Sequence, residues 1–103
     1  MKLEFTNEAK ELLQKQYEQG DNLYLFYDTE GVCGVNGVPT VRWVTSLPDN
    51  AEAIDTNTFP TYVNREQKVF FYNELKLDVR GSLFRLYSNE GILNPSITIN
   101  KNE

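Results

Sequence analysis

A mainly-β, α+β domain is the fold class the sequence predicts, with one N-terminal helix followed by six or seven short strands. Three observations predict it. A three- and four-residue apolar rhythm occurs once, near the N-terminus. After Gly20 the rhythm changes to two, and turn-forming residues then punctuate the chain at short intervals. With 103 residues the chain reads as one domain, residues 1–103, long enough to bury about two-thirds of the surface its unfolded form exposes.

Residues 6–19, "TNEAKELLQKQYEQ", carry the helix, with Ala9, Leu12, Leu13, Gln16 and Tyr17 on one face. Thr6 or Asn7 can cap its start, Glu8 suits the positive end of the helix dipole, and Gly20 suits the exit. "NLYLFYD" (22–28) is apolar and aromatic on both faces, as an interior strand requires. Asn36-Gly37 is a hairpin-turn signal, so "TVRWVTS" (40–46) reads as the returning strand, with Pro39 at its first position or on an edge. "LPDNAEAIDTNTFP" (47–60) reads as a loop, with at most a short strand at its end. "TYVN" and "KVFFYN" around Arg65-Glu66-Gln67 suggest a hairpin, and residues 75–80 alternate as a half-buried strand. "SLFRLYS" and "ILNPSITIN" (92–100) supply the last two strands. The aromatics Trp43, Tyr62, Phe70 and Tyr72 are expected to pack in the core.

Ten basic residues against fifteen acidic ones leave a formal charge of −5, and the basic residues form no cluster. Nucleic acid and anionic membranes are poor partners for such a surface. No apolar run reaches the roughly 20 residues of a membrane span, and the N-terminal stretch turns polar at once. A single cysteine makes no internal disulfide, so a cytoplasmic location with a reduced thiol is expected.

Histidine is absent, which removes the commonest general base and every Ser–His or Cys–His nucleophile pair. A non-enzymatic role is the expectation. The lone Cys33 sits in "GVCGVNGV", framed by Gly31 and Gly34, where flexible backbone would let a ligand or a nucleophile reach out. A small buried residue beside a turn is the competing reading. Asp28 and Glu30 would raise the thiol's pKa and oppose a reactive nucleophile, whereas a bound metal ion would reverse that effect. The loop lacks the lysine-serine or lysine-threonine pair of a phosphate cradle, and no helix pattern opens after it. Asp49, Glu52 and Asp55 miss the spacing of a calcium loop and read as a solvated acidic stretch.

The order of elements resembles the HesB-like, A-type iron–sulphur cluster biosynthesis family. "MKLEFTNEAKELL" resembles its opening strand and capped helix, and "LYLFYD" with "GVCG" resembles the strand and glycine-framed first cysteine, here Cys33. "LFRLYSNEGILNPSITI" resembles its final segment, matching at Gly91, Asn94 and Pro95. The resemblance implies a HesB-like sandwich and a carrier-type role in iron–sulphur assembly. It implies iron or a labile cluster as cargo on Cys33, with Gly31 and Gly34 closing the loop and Asp28 or Glu30 completing the shell. Assembly proteins would be the partners, and a homodimer would bring two Cys33 thiolates together. The family's Cys-Gly-Cys pair after Asn-Pro has no counterpart in Ile97–Glu103. A protein-interaction scaffold without metal, or a thiol redox sensor, are therefore the alternatives.

Overall fold

The structure, a computed structural model, describes residues 1–28 and 38–99, with Asp28, Val38 and Phe70 described by their backbone. In chain order the elements are β1 (Lys2–Phe5), α1 (Asn7–Gln16), β2 (Asn22–Asp28), β3 (Val38–Val44), β4 (Ala51–Thr56) and β5 (Thr61–Asn64). A short 3₁₀ turn (Lys68–Phe70) follows, then β6 (Glu74–Arg80), β7 (Leu83–Ser88) and β8 (Gly91–Ile97). The eight strands form one sheet in the order β3-β2-β5-β4-β1-β6-β7-β8, which curls until it is nearly closed. The fold class is as the sequence predicts, with two corrections to the strands. Residues 51–56 form β4 instead of a loop, and "KVFFYN" is not a strand, because β5 pairs antiparallel with β4.

Local chemistry explains the helix. Thr6 takes extended backbone angles, and its hydroxyl accepts the Ala9 N–H at 3.3 Å. Ala9 and Leu13 are fully buried, and Leu12 and Tyr17 pack against the same cluster. The helix ends at Gln16, three residues before the sequence rhythm suggests. Gly20, at φ +97°, instead serves the following turn, where Asp21 N–H bonds Glu18 C=O at 3.0 Å. Asp21 also accepts the Glu18 N–H through Oδ2 at 2.8 Å.

Strand periodicity builds the core. Leu3 and Phe5 of β1, Leu23 and Leu25 of β2, Val41 and Trp43 of β3, and Leu75 and Leu77 of β6 point inward. Phe84 and Leu86 of β7 and Ile97 of β8 complete the lining, and Ile99 follows them in. Phe71 is buried and meets Tyr27 edge-on at 5.9 Å, whereas Tyr72 lies on the surface, against expectation. The chain after β5 does not continue as a strand, so its apolar residues no longer alternate across a sheet, and among its described side chains Phe71 reaches the interior while Val69 and Tyr72 do not.

Asp78 ties the helix start to the sheet. Its carboxylate accepts from Val79 N–H at 2.7 Å, from the Thr6 hydroxyl at 3.0 Å and from Arg85 Nη2 at 3.1 Å. The Val79 N–H, then the Thr6 hydroxyl and the Arg85 guanidinium, hold this carboxyl below its usual range. A depressed native pKa means stability that is present above the unfolded value of about 3.9 and is lost as pH falls through the native value. Asp78→Asn is therefore expected to shrink the difference in urea midpoint between pH 6 and pH 2.5 relative to wild type. An unchanged difference would mean that these bonds do not favour the charged form.

Candidate functional site

β2 and β3 form one uninterrupted antiparallel ladder, from Asn22 opposite Val44 to Asp28 opposite Val38. The cysteine-bearing segment therefore connects two antiparallel strands, and a strand follows it instead of the helix a phosphate cradle needs, while the Asn36-Gly37 turn signal falls outside the described residues. Cys33, Gly31, Gly34 and Glu30 lie outside the described residues. Asp28 is placed by its backbone as the last residue of β2. What the structure defines is the root from which the thiol-bearing segment leaves and to which it returns.

That root is held by two side-chain amides. The parallel pairing of β2 with β5 runs from Leu23 opposite Thr61 to Leu25 opposite Val63, and so stops short of Tyr27. Gln67 takes over, its Oε1 accepting the Tyr27 N–H at 2.7 Å and its Nε2 donating to the Tyr27 carbonyl at 3.2 Å. Because Tyr27's polar groups face this side, its partner Pro39 turns its own carbonyl outward, away from β2. Asn94 of β8 meets that carbonyl, donating from Nδ2 at 2.7 Å, while its Oδ1 accepts the Ser96 N–H at 3.0 Å. The Asn94 match noted in the sequence thus has a structural reason: the residue joins the two end strands of the sheet. Pro39 and Pro95 both fall on those end strands, where a missing N–H costs no ladder bond.

The C-terminal segment leaves β8 at a different place. Ile97 and Ile99 are buried, and Gln16 Nε2 donates to the Ile99 carbonyl at 3.0 Å. The same Gln16 accepts the Trp43 indole N–H at 2.8 Å. Trp43 lies five residues along β3 from Val38, about 17 Å at the usual strand rise. Ile99 is thus fixed near the far end of the hairpin from the root of the cysteine segment.

Among the described residues, no group of three or more acidic, cysteine or histidine side chains is placed to hold a metal ion. Glu52 pairs with Lys68 and not with its acidic neighbours, and the Lys68 ammonium holds its carboxyl below the ordinary range. A surface groove of about 400 Å³ runs along Phe71–Glu74 and Ser88–Glu90. On the outer sheet face, Tyr24 stacks on Phe26 with ring centroids 5.5 Å apart, and the Arg42 guanidinium lies 4.8 Å over Phe26. No helix among the described residues is long and apolar enough to cross a membrane. Sequence reasoning missed the roles of Gln67 and Gln16. Only Gln16 left a signal, as an amide on the apolar stripe of the helix.

Eight curled strands and one N-terminal helix, counted among the described residues, make a fold already seen in crystals. A proposed Fe–S biosynthesis protein from Lactobacillus salivarius superposes with a TM-score of 0.81 at 25% identity, covering 97% of each chain. A second, from Lactobacillus acidophilus, shares the fold with a TM-score of 0.79 at 21% identity, over 98% of this chain and 90% of its own. The model of the iron–sulphur cluster biosynthesis family matches residues 1–101, and the chain belongs to that HesB-like family. The uncharacterized protein YqkB of Bacillus subtilis (strain 168) is a relative, 34% identical over 104 residues, covering 96% of this chain and 97% of its own.

Proposed function

We propose that this chain is a cytoplasmic, non-enzymatic carrier of iron–sulphur assembly that takes iron or a labile cluster as cargo on Cys33. The match to the iron–sulphur cluster biosynthesis family over residues 1–101 carries the reading. The donor set limits what the cargo is. Stable clusters are held by about four thiolates, and this chain has one cysteine. The fit to a permanent four-thiolate cluster is therefore poor, and the fit to transient cargo is better. A homodimer would supply two Cys33 thiolates, with Asp28 or Glu30 and small exogenous thiols as further donors. Gly31 and Gly34 would let the loop close on the ion, and a partner protein of the assembly system would receive the cargo.

A second reading is favoured by the same count. The C-terminal Ile97–Glu103 stretch carries no thiol, so the fold would serve as a protein-interaction scaffold without metal. One experiment divides the readings. The protein is purified without oxygen, given ferrous iron and sulfide, and its visible spectrum is recorded beside Cys33→Ala. The carrier reading expects a thiolate-to-iron charge-transfer band that the substitution abolishes, with a two-chain mass in the loaded state. A colourless wild type with slow thiol alkylation overturns it in favour of the scaffold. A colourless wild type with fast alkylation overturns it in favour of a redox-sensing thiol.

A further inference from the structure

The ladders of the sheet leave β3 and β8 as its two end strands, unpaired with each other. They nevertheless run the same way past one another, with Asn94 beside Pro39 and Ile99 tied to Trp43 through Gln16. A ladder is disfavoured here. Pro39 and Pro95 have no N–H to contribute, and β8 shifts register against β7 at Phe84/Leu86 and again at Leu86/Tyr87. Two side-chain amides replace it. Asn94 has a single orientation that satisfies both its contacts, because Pro39's carbonyl only accepts and Ser96's N–H only donates. Gln16 is fixed for the same reason between a carbonyl that accepts and an indole that donates. Asn94 is buried, so losing it strands a carbonyl away from water.

We propose that the β3–β8 seam is a conformational latch, a single cooperative unit closed by Asn94 at one end and Gln16 at the other. Seam opening is the lowest-energy departure from the native sheet and leaves β1, β6 and their neighbours folded. Every other neighbouring pair of strands is joined by a backbone ladder, whereas among the described residues the side chains of Asn94 and Gln16 carry hydrogen bonds across this seam. The latch holds both the start of β3, where the Cys33 segment rejoins the sheet, and the C-terminal segment. That last consequence for the cargo site rests on the carrier reading; the latch itself does not.

Hydrogen exchange followed by NMR on the full chain tests it, because the seam carries a reporter at each end. The Trp43 indole N–H reports on the Gln16 end, and the Asn94 side-chain amide, which donates across the seam to the Pro39 carbonyl, reports on the other. Asn94→Ala is expected to speed exchange at the Trp43 indole by on the order of tenfold or more. Gln16→Ala is expected to do the same at the Asn94 side-chain amide, while β6 amides keep their protection in both. Asn94→Asp, which retains the acceptor for Ser96 but loses the donor to Pro39, should match Asn94→Ala at Trp43. Effects confined to the mutated end, or an equal rise in β6, overturn the proposal. Should the variants not fold, wild-type exchange under rising urea decides. One shared opening for both reporters, below that of β6, supports the latch, and separate or global openings refute it.

Discussion

Phe84→Ala should lower unfolding free energy by about 3–5 kcal/mol. Phe84 is the largest of the fully buried side chains, 1% exposed, and sits opposite Val79 of β6 and Ile97 of β8. Truncation forfeits the transfer energy of the ring and leaves a hole bounded by three strands, which a sheet pinned by its ladders cannot collapse into. Domains of this size are commonly stable by about 5–15 kcal/mol, so one substitution removes a large share. The neighbouring Leu83 is 42% exposed on the opposite face, and Leu83→Ala should stay within about 0.5 kcal/mol of wild type. Urea midpoints of the pair measure the contrast. Equal losses would mean that β7 does not present this face to the core.

The same alternation that separates Phe84 from Leu83 made most of the fold legible from sequence. It is strong in β3, β6 and β7, where inward positions are large and apolar, whereas β2 is legible as a run apolar on both faces. It fails in β4, whose Ala51, Glu52, Ala53, Ile54, Asp55 and Thr56 bury no side chain completely. That stretch is a strand because β5 and β1 flank it with partners, a long-range cause that no local window contains. After β5 the sequence misleads in the other direction. "KVFF" looks strand-like, yet Val69 is 82% exposed in a 3₁₀ turn while Phe71 anchors the segment. The candidate site divides in a similar way. The glycine frame of Cys33 and the Asn94-Pro95 match are visible as text. The amides that secure the strands are not: Gln67 holds both polar groups of Tyr27 from 40 residues away, and elsewhere in the sheet Asn57 does the same for Phe5 from 52 residues away. A glutamine or asparagine that completes a distant strand's ladder has the same local signature as one that faces water.

Trp43→Ala should cost about 3–5 kcal/mol, and Trp43→Phe a smaller share, about 1–3 kcal/mol. The indole is 8% exposed, meets Phe59 edge-on at 5.7 Å and lies 5.8 Å from Tyr17. Alanine removes this packing together with the bond from Nε1–H to Gln16. Phenylalanine keeps much of the ring and removes the donor, so the Phe variant weights the hydrogen bond and the Ala variant adds the cavity. Far-UV circular dichroism must follow the urea transitions, because Trp43 is the chain's single tryptophan. Pairing the Phe variant with Gln16→Ala then isolates the bond. Gln16→Ala should cost less in the Trp43→Phe background than in wild type, by about 0.5–3 kcal/mol, as expected for residues in direct contact. If it costs the same in both backgrounds, Trp43 acts only as filler, and the Gln16 end of the seam is held by packing instead of by a directed bond.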